Sequence, residues 1–336
     1  MKVKILATLG PSSLSERIVR ELADNGVGVF RINLSHTALE DVTSIIGKIQ
    51  SWTDVPICLD SEGAQVRNQK MSSESVVFQK GDIVKIHHDA IIGDSKNISF
   101  APWNVSHQLK IGDRIRVDFK SVSFSVVEIK ADCILASVIE GGVVGSNKAA
   151  DIDRDIDLDP VTTKDKAAFE IGLKMGVENY SLSFTNSAED VEAVRSIIGY
   201  DVNLISKIES IKGVLNLNEI LPLVDEILID RGDLSREIPI EKIPFVQRSI
   251  ISYAKSQEVP VFVATNLLES MIKEISPTRA EANDVASTLL MGASGLVLAA
   301  ETAIGAHPIG AVKMINMIIK QYNRWGPESS LKNFIG

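Results

Sequence analysis

Eight short apolar runs recur along the chain, all but the third leading directly into a segment with helical spacing, and this alternation limits the possible folds more than any other feature. The runs lie at 3–7, 27–32, 55–59, 180–184, 203–208, 226–229, 259–264 and 295–299. Each is too short for a buried helix, and most carry apolar residues at successive positions, as strands covered on both faces of a parallel sheet do. Helices are expected at 39–49, 163–175, 188–198, 213–220, 244–256 and 308–322. Two more are read from capping boxes, in which Ser or Thr is followed three residues later by Glu. These are Ser13 with Glu16, leading a face of Leu14, Ile18, Val19 and Leu22, and Thr278 with Glu281, leading a helix to Met291. Eight strand–helix units predict an α/β fold, a (β/α)8 TIM barrel, with its active site at the C-terminal ends of the strands. An open doubly wound sheet is the alternative, but Leu9-Gly-Pro-Ser12 stands where its Gly-rich dinucleotide turn would follow the first strand.

After the third run the pattern changes. From 67 to 155 short alternating segments at 75–78, 83–86, 114–119, 122–129 and 134–139 are punctuated by Gly-Asp turns at Gly81, Gly93 and Gly112. This predicts an all-β, barrel-like lid domain inserted into a barrel formed by 1–66 and 156–336. A net charge of −9 argues against a general nucleic-acid or membrane-surface role while allowing a local basic cleft. Cys58 and Cys133 are too few and too far apart for a disulfide framework or a metal cluster, and are expected as small core residues in a reducing compartment. The first residues run directly into a strand, with no secretory pattern and no run of membrane-spanning length, so a cytoplasmic location is expected.

The candidate site is centred on Leu204-Ile-Ser-Lys-Ile-Glu209 and Leu228-Ile-Asp-Arg-Gly-Asp233. Both are apolar runs that deliver charges where the strand gives out, so Lys207, Glu209 and Asp233 are expected to converge at one end of the sheet. Two carboxylates suit a hard divalent cation such as Mg2+, and a lysine beside them would neutralise an anionic substrate. The plainer reading is surface charge just past two strands.

Several blocks carry a resemblance. Thr8-Leu-Gly-Pro11, Arg31-Ile-Asn-Leu-Ser-His36, Leu59-Asp-Ser-Glu-Gly63, Ile205-Ser-Lys-Ile-Glu209, Arg231-Gly-Asp-Leu234, Ala264-Thr-Asn-Leu-Leu-Glu-Ser-Met271, Pro277-Thr-Arg-Ala-Glu281 and Glu301-Thr302 resemble, in the same order, the signature blocks of the pyruvate kinase family. That family places a β lid after the third barrel strand and carries a C-terminal α/β domain; the latter is expected to be absent here, since the sequence stops just after the eighth helix.

The resemblance implies transfer of the phosphoryl group of phosphoenolpyruvate to ADP, with Mg2+ or Mn2+ on Glu209 and Asp233. By the same resemblance Lys207 steadies the developing enolate, Arg31 contacts the phosphoryl group and Thr265 lies near the face on which the enolate is protonated. Asn33, Ser35, Asp60 and Ser61 match a potassium site. Thr8, Pro11, His36 and Arg67 match nucleotide-side positions, Lys148 a lid lysine facing phosphate, and the backbone around Gly232 and Asp233 a binder of the substrate carboxylate. Plainer roles exist for several of these: Thr8 and Pro11 could end a strand, His36 could cap a helix and Lys148 could be solvated.

The departures are also specific. Ser61-Glu-Gly-Ala-Gln-Val-Arg67 lacks a lysine and an acid associated with potassium dependence, Asp230 and Ser235 stand where alanine and glycine are usual, and Ala299-Ala300 replaces Ser-Gly. In the lid, Val117-Asp-Phe119 stands where adjacent acids are common. Asp230 brings a third acid close to Asp233, with Arg231 as a candidate salt-bridge partner. The expected partners are a small phosphorylated or pyruvate-like acid and ADP or ATP, with no nucleic acid, no membrane and room for a homodimer through the barrel helices. Two alternatives remain: a divergent enzyme using the same Mg2+ and enolate site for another 2-oxo-acid or phosphorylated substrate, and a non-catalytic ligand-binding protein.

Overall fold

In a computed structural model, residues 3–118 and 121–326 are described. They form two compact units, residues 1–63 with 160–336 and residues 64–159. The first unit is a closed barrel of parallel strands, Lys4–Thr8, Val29–Asn33, Ile57–Asp60, Asn179–Leu182, Asn203–Ile208, Glu226–Asp230, Val261–Ala264 and Gly295–Leu298, each paired with its neighbours in chain order and the last with the first. The α/β barrel is therefore present as the alternation predicts.

Burial explains why the runs are continuous rather than alternating. The outer face of each strand packs against the helices in a large cluster that includes Ile5, Phe30, Leu59, Tyr180, Leu204 and Ile227. The inner face supplies a second cluster, Leu6, Val29, Cys58, Ile205, Leu228, Phe262, Ala264 and Val297. Phe262 fills the space left beside Gly295, where a Cβ would meet its ring at 2.1 Å, so the barrel interior is packed and the chemistry is left to its rim.

The Thr278–Glu281 capping box forms and opens the helix Arg279–Met291. The box expected at Ser13 and Glu16 does not. Ser13 Oγ accepts from the Gly10 N–H at 3.1 Å instead, closing the turn after the first strand, and the helix Glu16–Asp24 starts from Ser15 without a side-chain cap. Ile18, Val19 and Leu22 are its buried face, while Leu14 lies before it. The helix expected at 213–220 is two short ones, Ile211–Leu215 and Leu217–Ile220, meeting at Asn216.

The second unit is mainly β rather than all β: one seven-stranded sheet with a small two-stranded one and a one-turn helix, Val105–Gln108, around a core that includes Val84, Ile86, Phe100, Phe124 and Val138. Its limits fall a few residues outside the expected 67–155 because Val66, Ile156 and Leu158 pack into that core. Phe119, expected to end a strand, lies outside the described residues. Among those described, no helix is long and apolar enough to cross a membrane.

Candidate active site

Side chains alternate along a strand, so the residue two beyond each interior apolar one must also face inward, one layer nearer the C-terminal rim. Two residues past Leu6, Val29, Cys58, Ile205, Leu228 and Val297 stand Thr8, Arg31, Asp60, Lys207, Asp230 and Ala299. One layer of the barrel thus turns from apolar to charged within a single period.

The charges of this layer are paired. Arg31 gives Nε and an Nη to Asp60 Oδ2 at 2.9 and 2.5 Å, and its other Nη to Thr8 Oγ1 at 2.9 Å. The second Asp60 oxygen accepts from Ser181 Oγ at 2.5 Å. Lys207 Nζ lies 2.8 Å from Glu209 Oε1 and 3.5 Å from Asp60 Oδ2, and donates to Ser183 Oγ at 2.9 Å. Burial alone would raise the Asp60 carboxyl and lower both cations, but their mutual attraction wins, leaving Asp60 below its ordinary value and Arg31 and Lys207 above theirs. For Glu209 burial is the largest influence; Lys207 opposes it, but Asp233 and Asp230 add to it, and the carboxyl is pushed up to about 8.

Glu209 Oε2 accepts from the Phe184 N–H at 2.7 Å, while Oε1, also buried, faces the Lys207 ammonium. Asp233 is not at a strand end, as the sequence reading has it. It lies in the first turn of a short helix, Arg231–Glu237, and accepts from Arg236 at 3.1 Å. Burial, and next Asp230, raise its carboxyl. Asp230 caps that helix: its Oδ1 accepts from the Gly232 N–H at 3.1 Å and from Thr265 Oγ1 at 2.5 Å. Carboxylate oxygens of Glu209, Asp230 and Asp233 all lie within 4.8 Å of one another.

Thr265 follows the seventh strand with φ 74°, a left-handed conformation unusual for a branched residue, and Asn266 follows at 58°. Arg231 holds the bend by donating to the Thr265 carbonyl at 3.1 and 2.5 Å and to Asp284 Oδ2 at 2.6 Å. The anticipated Asp230–Arg231 pairing is replaced by these contacts. Glu301 supports the neighbouring loops, accepting from the Leu268 and Ala299 N–H groups at 3.2 and 2.9 Å.

Lys207, Glu209, Asp233, Arg31, Thr8, Asp60, Gly232 and Thr265 are thus at or beside one rim. The Gly232 N–H is engaged by Asp230. Of the residues matched to potassium, Asn33 Oδ1 accepts from the Ser35 N–H at 3.0 Å, and Ser61 Oγ from the Ser183 N–H at 2.9 Å. Beside them Lys164 places its ammonium on the Leu34 carbonyl at 2.6 Å and Glu62 at 2.7 Å. Pro11 and His36 are exposed, in a turn and at the end of the one-turn helix Leu34–His36. Arg67 and Lys148 belong to the β unit, where Arg67 donates to the Asn147 carbonyl at 2.9 Å and Lys148 lies 3.4 Å from Asp118. Sequence reasoning missed Ser181 and Ser183; it placed Asp230 beside Asp233 as a third acid but not as the cap of the helix or the acceptor for Thr265.

The sequence matches the family model described as pyruvate kinase, barrel domain, over residues 1–312. The chain belongs to the pyruvate kinase family. It is 34% identical over 325 residues to the pyruvate kinase of Mycobacterium tuberculosis, covering 94% of this chain and 69% of that protein. It is also 34% identical over 327 residues to that of Thermotoga maritima (95% and 70%), and 34% identical over 323 residues to that of Thermoplasma acidophilum (95% and 58%). Membership assigns the barrel as a whole to a phosphotransferase family, and the rim layer is where its charged residues collect.

Proposed function

We propose that this protein is a metal-dependent phosphotransferase acting on phosphoenolpyruvate, or a closely related acid that passes through an enolate, with ADP and ATP as the nucleotide pair. The observation that carries this reading is the buried Lys207–Glu209 contact at 2.8 Å beside the Glu209–Asp230–Asp233 oxygens. A scaffold has no physical reason to bury an acid and a lysine at the end of a strand beside two half-buried acids, since desolvation and like-charge repulsion oppose it unless a ligand completes the set.

Glu209 and Asp233 would hold Mg2+ or Mn2+: they are hard oxygen donors, and one oxygen of each lies within 4.8 Å of the other, with Lys207 Nζ as the close cation on Glu209 Oε1 at 2.8 Å. When bound, the ion would neutralise charge on the substrate oxygens. The phosphorus–enol oxygen bond breaks as the phosphorus–ADP oxygen bond forms, leaving an enolate that is protonated at carbon. Arg31 and Lys207, fixed by Asp60, present permanent positive charge to the transferring group and the enolate without reorganising. Thr265 is placed by Arg231 at the rim, with Asp230 as acceptor for its hydroxyl. The reading includes no step that uses potassium, because Ser61–Arg67 lacks the lysine and the acid associated with its use in the family.

The test is phosphoryl transfer from phosphoenolpyruvate to ADP by the purified protein with Mg2+, then by Asp230→Ala combined with Ala299→Ser, which restores the usual family residues. Turnover in the wild type supports the reaction class. Weak wild-type turnover that the double change raises supports a modified acid as the preferred substrate, and strong wild-type turnover that it does not raise supports phosphoenolpyruvate itself. Absence of both turnover and metal-dependent oxalate binding overturns the reading.

A further inference from the structure

Asp230 has no task in the chemistry just described beyond accepting from Thr265, and an uncharged acceptor could do that. Its backbone places it inward, two residues beyond the interior Leu228, and its carboxylate meets Glu209 and Asp233 with one oxygen of each within 4.8 Å. Both of its protein donors, the Gly232 N–H and the Thr265 hydroxyl, converge on Oδ1. That arrangement fixes the carboxylate plane and leaves Oδ2 to neither of them. The same cluster contains Glu209, whose side chain has no exposed area and whose Oε1 is held by Lys207 Nζ at 2.8 Å.

We propose that Asp230 is a third carboxylate ligand, so that Glu209, Asp230 and Asp233 together take up Mg2+ or Mn2+ before any organic substrate arrives. This rests on the reading that Glu209 and Asp233 hold the ion. Three protein oxygens leave an octahedral hard cation about three further positions, enough for a bidentate organic anion and one water. Two protein carboxylates would depend more on the substrate to complete the site. The third makes the loaded site one unit more negative, which favours an incoming acid that carries less charge on the groups it presents to the metal.

The discriminating variant is Asp230→Asn. It keeps the Oδ1 acceptor for the Gly232 N–H and the Thr265 hydroxyl, and so keeps the helix cap, but removes the anionic ligand. Substrate-free protein is titrated with Mn2+, following free ion by electron paramagnetic resonance and bound-ion hydration by water proton relaxation. The expected result is about 10- to 100-fold weaker Mn2+ binding and more water on the ion that does bind, with a urea midpoint no lower than wild type in the absence of metal. If Asp230→Asn does not fold, Asp230→Ser, which also retains a short cap acceptor, takes its place with the same expectation. Wild-type Mn2+ affinity and hydration in the variant would overturn the inference and leave Asp230 as a helix cap. Asp233→Asn separates the two levels: loss of Mn2+ binding there, with none in Asp230→Asn, sinks this inference alone, whereas unchanged binding in both sinks the underlying metal site as well.

Discussion

Arg31 and Asp60 stand on adjacent strands in the rim layer, and the arginine places two donors on one carboxylate oxygen, at 2.9 and 2.5 Å, with the ammonium of Lys207 3.5 Å from the same atom. One buried acid therefore holds both of the cations assigned to the substrate. Replacing it leaves two buried positive charges facing each other.

Asp60→Ala is accordingly expected to lower folding stability by about 3–5 kcal/mol, the usual cost of stripping one partner from a buried ion pair. Urea unfolding measures this. A loss below about 1 kcal/mol, in the range of an exposed pair, would show that the rim cations are neutralised by some other group.

Lys207→Met keeps the length and apolar stem of the side chain but removes the charge next to Glu209. Phosphoryl transfer, once established for the wild type, should fall about 10^2–10^3-fold in kcat, because a preorganised charge is lost where negative charge develops. A variant with an unchanged kcat and a raised KM would place Lys207 in ground-state binding only.

Protons and metal should compete at Glu209. Its carboxyl is pushed up to about 8 by burial, and next by Asp233 and Asp230 acting against Lys207. Mn2+ affinity is expected to climb as pH rises toward about 8, by up to tenfold per unit, and then to level off, with proton release on binding below that point. The stability sign follows from the same shift. An acid whose folded pKa is raised binds its proton more tightly when folded, so this contribution is complete below the unfolded value near 4.3 and is lost as pH rises through about 8. Metal-free protein should thus lose urea resistance across that window, and metal should restore it. Calorimetric titration in buffers of different ionisation enthalpy measures the proton count, and pH-independent affinity from pH 6 to 9 would contradict the shift.

Gly232→Ala is expected to damage the site rather than the fold. A Cβ there would fall 2.8 Å from Thr265 Cγ2 and 3.3 Å from Asp230 Oδ1, pressing on a threonine already at φ 74°. A stability loss of about 1–3 kcal/mol is expected from such overpacking, together with weaker Mn2+ binding as Asp230 moves. Wild-type metal binding in this variant would mean that the Thr265 loop yields freely.

The barrel was legible because strands buried on both faces must read as unbroken apolar runs, and Lys207 with Glu209 because period-two spacing carries them to one face. Asp233 was expected at the same rim, but its helix was not read, since Arg231–Glu237 is too short to show a helical apolar period and begins with a run that looks like strand-end loop. Asp230 was legible as a third acid beside Asp233, but not its contacts: the same carboxylate caps a helix, and its partner Thr265 lies 35 residues away in sequence. Arg231 likewise finds Asp284 rather than its neighbour. Ser13 shows the converse, a capping pattern overridden by a nearer donor at Gly10. In the β unit, strands such as Asn97–Ala101 and Ala150–Ile152 lack enough alternating residues to stand out.

The Asp165 carboxylate receives the Glu62 N–H at 2.7 Å, the Gly63 N–H at 3.2 Å and the Thr162 N–H at 3.1 Å. The two ends of the barrel unit at residues 63 and 160 are therefore brought to a common anchor by a side chain of the barrel itself. Since bringing two chain ends together costs little more for a long loop than for a short one, the barrel has little thermodynamic stake in what joins them. The junction works as a socket: a change in the length of the intervening segment places little demand on the register of the strands on either side.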